Sequence, residues 1–197
     1  MLREGWEPTR AHGLPQTFAA VEYAERMHAG QLRGDGTPFV LHPLEVGFLL
    51  SSAGAPDHVI AAGVLHDLIE KTGVTPGELG DRFGPTVTTL VLAVTDNEQI
   101  EGYAIRKAAL RRQVARAGDE ALEIFAADKL SKLRELRREM AADHDPGPTA
   151  VWRREQSVRR VKHYRRSLAM LEQRLPGSPL VHELAAEVRA LPHDRAA

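Results

Sequence analysis

The stretch from Val64 to Thr72, VLHDLIEKT, decides the predicted fold and holds the predicted chemistry. In a helix of 3.6 residues per turn, His66 and Glu70 lie one turn apart on one face, with Asp67 beside them. The apolar residues around them form the buried stripe of an amphipathic helix, for which Asp57 is the predicted N-cap. An imidazole beside a carboxylate suits a first-row divalent metal ion, although a lone His-Asp pair also occurs on solvent-facing helices.

The segment before this stretch is predicted to contain two helices joined by a loop. Thr17 is the expected N-cap of the first helix, which runs to about Ala29, and the glycines and proline of 30–38 make the loop. Because proline fits the first turn of a helix, the second helix is predicted from Pro43 to Ser52. His42 then stands just before that helix, where its ring can point sideways into a cleft.

The segment after the stretch is also predicted to be helical. The sequence TPGE at 75–78 is a capping box that starts a helix, and Gly84-Pro85 interrupts it. Further helices are predicted over Tyr103–Ala117, Glu120–Met140, Trp152–Arg174 and Leu180–Leu191, with a surface loop over 143–149. Since no segment alternates like a strand, we expect an all-α bundle of about eight or nine helices.

Asp128 interrupts the apolar face of its predicted helix, with core positions two residues to either side. It either pairs with Lys132 one turn later or points into a cleft as a ligand. In the second case it joins His42, His66 and Asp67 in a set of two imidazoles and two carboxylates from three helical segments.

The composition of the chain argues against several classes of protein. The 197 residues include 26 Lys and Arg against 27 Asp and Glu, so the charge balance does not predict nucleic-acid binding through the Arg-rich C-terminal helices. The absence of cysteine excludes disulfides and a thiolate metal site. No signal peptide and no membrane span is expected, which predicts a cytoplasmic protein. The length predicts a single domain over 1–197, with its motifs in a core of about 17–140 and C-terminal helices over 149–191.

Several spaced motifs occur in order along the chain: HAGQLR at 28–33, TPFVLHP at 37–43, LHDLIE at 65–70, FG at 83–84, VTD at 94–96 and ADKL at 127–130. Over about Phe18 to Arg137, they resemble the HD-domain metal-dependent phosphohydrolases. The resemblance is strongest to the hydrolase domain of RelA/SpoT proteins and to the small alarmone hydrolases.

The resemblance implies an all-helical HD domain that binds one divalent ion, usually Mn²⁺. The ligands that match this family's pattern are His42, His66, Asp67 and Asp128. The implied reaction is hydrolytic removal of pyrophosphate from the 3′ position of guanosine tetra- and pentaphosphate.

The chain departs from those hydrolases at specific positions. Two acids generally follow the His-Asp pair, whereas here Glu70 is followed by Lys71, and a charged ammonium cannot take a proton from water. The usual basic residue after the arginine matching Arg33 is missing. Ser131 and Lys132 stand where the family has an aromatic or histidine and then an asparagine.

Two interpretations remain open. In the first, the chain is an enzyme in which Glu70 alone orients the reacting water, and Arg33, Lys71 and Lys132 bind substrate phosphates. Glu70 and Lys71 are then the candidate catalytic residues, with Lys71 as a phosphate clamp or, if its pKa is lowered, an acid. In the second, the metal and these cations bind a phosphorylated nucleotide, but turnover is slow or absent. A small phosphorylated nucleotide is the expected partner in both, and association of the chain with itself is left open.

Overall fold

The computed structural model describes residues 13–142 and 150–191. Within these ranges the helices are α1 (Pro15–Met27), α2 (Leu41–Ser52), α3 (Asp57–Leu65), α4 (Leu68–Lys71), α5 (Pro76–Val94), α6 (Tyr103–Ala117), α7 (Asp119–Ala142), α8 (Ala150–Arg174) and α9 (Pro179–Arg189). The described residues contain no strand beyond one isolated bridge between Leu32 and Pro38, so the all-α prediction is confirmed.

Some predictions concern residues outside the described ranges, namely the surface loop over 143–149 and the N-terminal segment. Among the described helices, none is long and apolar enough to cross a membrane. The division into one domain over 1–197 stays a prediction.

Helix α3 lies at the centre of the core. It packs against α1, α2, α5 and α7, and every residue from Val59 to Leu65 is buried. Gly63 permits its close approach to α2, because a Cβ at that position would lie 2.3 Å from Leu50 Cδ1. This contact holds α2 against the helix that leads directly into His66 and Asp67.

The predicted N-caps of the first and third helices were wrong. Helix α1 begins at Pro15, so Thr17 is a buried residue of its first turn, and Asp57 is the first residue of α3. The Asp57 carboxylate instead accepts hydrogen bonds from the backbone N–H groups of Gln16 and Thr17, at 2.9 and 2.8 Å. It therefore caps α1, because the free N–H groups of a helix start can be satisfied by a neighbouring element.

The His66-Asp67 pair was predicted to lie inside one continuous helix, and this prediction was wrong. Helix α3 ends at Leu65, the pair forms a turn, and the single helical turn α4 starts at Leu68. In a regular helix, adjacent side chains diverge by about 100°. His66 and Asp67 keep backbone angles of the right-handed helical region, with φ −58° and ψ −33° at His66 and φ −93° and ψ −2° at Asp67. Their side chains nevertheless lie together, with His66 Nε2 3.3 Å from Asp67 Oδ1.

His42 lies within the first turn of α2, which begins at Leu41, and not before the helix as predicted. Pro43 is tolerated there because the first N–H groups of a helix have no partner inside it. The other helix signals are confirmed, since Thr75 and Glu78 form the capping box and Gly84 interrupts α5 with φ 80° and ψ 171°.

Candidate metal centre

The structure brings together the four residues predicted as metal ligands, and we call them the ligand cluster: His42 from α2, His66 and Asp67 from the turn after α3, and Asp128 from α7. His42 Nε2 lies 3.2 Å from His66 Nε2 and 3.2 Å from Asp128 Oδ1. His66 Nε2 lies 3.3 Å from Asp67 Oδ1. All four side chains are buried.

Hydrogen bonds on the outer side of each imidazole fix its orientation. His66 Nδ1 lies 2.7 Å from the carbonyl oxygen of Gly63, which only accepts, so Nδ1 carries the proton. His42 Nδ1 lies 2.9 Å from Ser131 Oγ, whose own proton goes to Glu45. In the neutral rings, both Nε2 lone pairs therefore face the centre of the ligand cluster, as metal-binding histidines require.

The two carboxylates of the ligand cluster differ in their donors. Asp67 Oδ2 is buried and accepts no hydrogen bond from the described residues. Asp128 is partly neutralised, because Lys129 donates to its Oδ2 and the Lys132 ammonium lies 2.8 Å from its Oδ1. A buried carboxylate oxygen without a partner is unfavourable. Two imidazole nitrogens and two carboxylates therefore fit a first-row divalent metal ion.

The pKa values of the ligand cluster reflect its burial and the charges of its carboxylates and of Lys132. Burial lowers the pKa of His42 to about 4, and the charge of Lys132 acts in the same direction. Burial alone would lower the pKa of His66 too, but the carboxylates of Asp67 and Asp128 outweigh it and raise that pKa. The pKa of Asp67 is lowered despite its burial, by the charges of His66 and Lys132. A field that favours a proton on His66 also favours a metal cation in that place.

Glu70 lies on α4, beside the ligand cluster in sequence. Its Oε1 accepts a hydrogen bond from the backbone N–H of Asp96, which ties α4 to the segment after α5. Burial raises the pKa of the Glu70 carboxyl, and the charge of Asp67 adds to that rise. Glu70 and Asp96 line an open cavity of ≈ 450 Å³, together with apolar residues such as Ile69 and Leu92.

The three cations predicted to bind phosphate differ in their surroundings. The Arg33 side chain is only 7% exposed, with NH1 3.7 Å from Glu135 Oε1, and its Nε and NH2 donate to no described residue. Lys132 is 30% exposed and pairs with Asp128 and, at 3.7 Å, with Asp67. Lys71 is exposed, and its ammonium makes no ion pair with the described part of the chain.

Sequence analysis missed three residues around the ligand cluster: Lys129, Ser131 and Glu45. Lys129 is buried, with its ammonium 4.4 Å from the centre of the Phe125 ring. Adjacent residues of a helix normally point in different directions, so the contact between Lys129 and Asp128 was not predictable from the sequence. Ser131 and Glu45 each follow a predicted ligand by three residues, a spacing that places them on the same helix face.

The chain is similar to known proteins in sequence and in fold. A family model described as HD domain matches residues 20–147. The human protein named guanosine-3′,5′-bis(diphosphate) 3′-pyrophosphohydrolase MESH1 is 37% identical over 127 residues, which cover 62% of this chain and 70% of the human protein. A Streptomyces coelicolor protein named GTP pyrophosphokinase is 38% identical over 127 residues, 63% of this chain. This chain spans only 15% of the length of that bacterial protein.

Two solved structures are similar along most of the chain. One, described as a metazoan ortholog of SpoT that hydrolyzes ppGpp and plays a role in starvation responses, has a TM-score of 0.73 and 27% identity. The match covers 88% of this chain and 94% of that one. A structure from Listeria monocytogenes has a TM-score of 0.65 and 27% identity, covering 78% of this chain and 97% of the other.

Proposed function

The chain belongs to the HD-domain family, and we propose that it is a metal-dependent phosphohydrolase that removes pyrophosphate from the 3′ position of guanosine tetra- or pentaphosphate. The observation that carries the proposal is the buried ligand cluster, in which imidazole lone pairs and carboxylates face one another and Asp67 Oδ2 accepts no hydrogen bond from the described residues. The reaction and substrate come from the names of similar proteins, which are guanosine-bis(diphosphate) pyrophosphohydrolases.

We propose that His42, His66, Asp67 and Asp128 hold one divalent ion and that this ion is Mn²⁺. When bound, such an ion acidifies water and neutralises charge that develops on phosphate oxygens. The protein's contribution is to keep the imidazoles correctly oriented and to exclude bulk water from the ligand cluster.

Glu70 is the proposed general base. Its pKa is raised by burial, which brings the carboxylate closer to the basicity that suits proton transfer near neutral pH. The hydrogen bond from the Asp96 N–H holds one of its oxygens, and the proposed proton acceptor is the other. Lys71 takes the place of a second acid, so we expect hydrolysis of guanosine tetraphosphate to be slow.

Arg33 is the strongest candidate for contact with substrate phosphates. A buried guanidinium with two unused donors suits bidentate binding of a phosphate, which would also satisfy those donors. Lys132 and a divalent ion compete for the same carboxylates, so we infer that its ammonium turns to the phosphates in the loaded protein. Lys71, exposed at the end of α4, is proposed as a more peripheral phosphate contact.

A second candidate is a nucleotide-binding protein with little or no turnover. Two observations favour it: Lys71 replaces the second acid, and Lys132 already neutralises part of the ligand cluster. In both candidates the partner is a small phosphorylated nucleotide. A cytoplasmic location and association of the chain with itself stay predictions.

One assay separates the two candidates. Purified protein is loaded with Mn²⁺ and incubated with a panel of guanosine and adenosine nucleotides, and the release of phosphate and pyrophosphate is measured separately. The proposed function predicts pyrophosphate and GDP from guanosine tetraphosphate, with loss of activity after chelation of the metal. Nucleotide binding without release from any nucleotide would favour the second candidate.

A further inference from the structure

A chain of polar contacts leads away from the ligand cluster on the far side of His42. The His42 Nδ1 atom lies 2.9 Å from Ser131 Oγ, and Ser131 Oγ lies 2.8 Å from Glu45 Oε2. Ser131 is 1% exposed, and the Glu45 side chain is 20% exposed. The contacts therefore run from a fully buried imidazole to a carboxylate at the edge of the protein.

Protons can be placed in this chain of contacts without ambiguity. A carboxylate only accepts hydrogen bonds, so the single hydroxyl proton of Ser131 goes to Glu45. The Ser131 oxygen must then accept, and the only proton available is the one on His42 Nδ1. The contacts thus select one tautomer of His42, in which Nε2 is unprotonated and faces the ligand cluster.

Glu45 and Ser131 lie on α2 and α7, the same two helices that carry the predicted ligands His42 and Asp128. On α2, Glu45 follows His42 by three residues, and on α7, Ser131 follows Asp128 by three residues. Residues three apart share a helix face. The His42 ring therefore spans both α7 residues, with Nε2 3.2 Å from Asp128 Oδ1 and Nδ1 bonded to Ser131.

Contacts with α9 hold the outer end of the chain of contacts. Arg134 NH1 lies 3.7 Å from Glu45 Oε1, and the same guanidinium pairs with Glu183 and, at 3.7 Å, with Glu187. Both Glu183 and Glu187 belong to α9. The Glu45 carboxylate is therefore restrained on both of its oxygens.

We propose that Ser131 and Glu45 are positioning residues that orient His42 and strengthen it as a metal ligand. Ser131 fixes the ring and its tautomer, while the negative charge of Glu45 makes the imidazole a better electron donor. The pair is additional to the four ligands.

This inference rests on the proposed metal role of His42, and its test is metal affinity in the absence of nucleotide. Full-length wild type and variants are titrated with Mn²⁺ by calorimetry. Ser131→Ala should weaken Mn²⁺ binding by about 10- to 100-fold, the usual effect of losing an outer partner of a histidine ligand. Glu45→Gln, which keeps an acceptor and removes the charge, should weaken it less. Ser131→Thr, which keeps the hydroxyl, should remain close to wild type.

The matched control is Glu123→Gln. Glu123 has the same chemistry as Glu45, is partly buried, and likewise accepts a hydrogen bond from a serine hydroxyl, that of Ser178 at 2.9 Å, but it lies on α7 about two turns before Ser131. This variant should bind Mn²⁺ like wild type. If Glu123→Gln weakens binding as much as Glu45→Gln, the effect is general electrostatics and the proposal is wrong.

A second measurement reports the tautomer directly. In nitrogen-proton correlation spectra of the full chain before Mn²⁺ is added, His42 should carry its proton on Nδ1 in wild type and lose that preference in Ser131→Ala. Unchanged tautomer and unchanged Mn²⁺ affinity in Ser131→Ala would overturn the proposal, as would a wild type that binds no Mn²⁺. If wild type hydrolyses no nucleotide while the variants still lose Mn²⁺ affinity, only the proposed function fails.

Discussion

The molecule buries imidazoles in two environments of opposite charge. In the ligand cluster, the carboxylates of Asp67 and Asp128 raise the pKa of His66 against the effect of burial. At His163, which is 5% exposed, burial and the charges of Lys129, Lys107 and Arg111 together lower the pKa to about 2. The same side chain therefore favours a cation in one place and rejects it in the other.

Proton placement makes the difference concrete. His163 Nδ1 accepts a hydrogen bond from Arg111 NH1 at 2.8 Å, so its proton lies on Nε2, which has no acceptor among the described residues. In the ligand cluster, by contrast, Asp67 Oδ2 is a buried carboxylate oxygen that accepts no hydrogen bond from the described residues. Burial of a histidine is thus no evidence for a metal site by itself; the sign of the charges around it decides.

The largest expected effect comes from removing one imidazole of the ligand cluster. His66→Ala should lose Mn²⁺ and hydrolytic activity, with affinity lowered by more than the ~100-fold that an outer partner contributes. His163→Gln, which keeps an acceptor for Arg111, should bind Mn²⁺ like wild type. Elemental analysis after Mn²⁺ loading and desalting measures both, and equal metal content in His66→Ala and wild type would contradict the proposed ligand set.

The second effect is at Lys71, the exposed lysine that follows Glu70 at the end of α4. Lys71→Asp should accelerate hydrolysis of guanosine tetraphosphate by about 10²- to 10⁴-fold if a proton acceptor is what the site lacks. If Lys71 instead binds a different phosphorylated substrate, the same change should abolish that activity. Pyrophosphate release across the nucleotide panel distinguishes these outcomes.

Lys162→Asp, the same charge reversal at an exposed position of α8, is the control for Lys71 and should leave all rates unchanged. Should Lys71→Asp and Glu70→Ala both leave every rate at the wild-type value, neither side chain acts on the reacting water. The proposed mechanism would then be wrong.

The third effect concerns the unused donors of Arg33. Arg33→Lys keeps the positive charge but removes the planar guanidinium. It should weaken nucleotide binding by roughly 10-fold, because a hydrogen bond to a charged group contributes about 1.5–3 kcal/mol and the lower value corresponds to that factor. Arg116→Lys, at an exposed position of α6, is the control. Calorimetry with guanosine tetraphosphate measures the change, and equal affinity would show that Arg33 serves only its contact with Glu135.

The smallest effect is on stability and comes from His163. Its pKa is about 2 in the folded protein and 6.5 ordinarily, so between these values the unfolded chain binds a proton that the folded chain does not. The free energy of unfolding should therefore fall as pH drops below 6.5, by up to ~1.4 kcal/mol per pH unit. Urea unfolding at pH 7 and pH 5 should show a smaller loss for His163→Gln than for wild type. An identical loss would mean that His163 is protonated in the folded state.

The sequence by itself determined the helical class, most helix positions and the identity of the ligand cluster. The helix predicted over Tyr103–Ala117 has the bounds of α6, and TPGE and Gly84 marked the start and the interruption of α5. The order of His42, His66-Asp67 and Asp128 along the chain pointed to one centre. Periodicity and local motifs carry this information because they depend on neighbours within one element.

Only the tertiary structure decided which groups meet across elements. Asp57 caps α1 instead of its own helix, and the side chains of His66 and Asp67, which follow α3, meet His42 from α2 and Asp128 from α7. Packing of α2 on α7 brings Glu45 to Ser131. Arg33, in the loop between α1 and α2, is buried near Glu135 of α7, and its Nε and NH2 donate to no described residue. The position of a side chain in the helical repeat determines which face of its helix it occupies. Its partner on another helix depends on the distance and angle between the two packed helices, which no local pattern specifies.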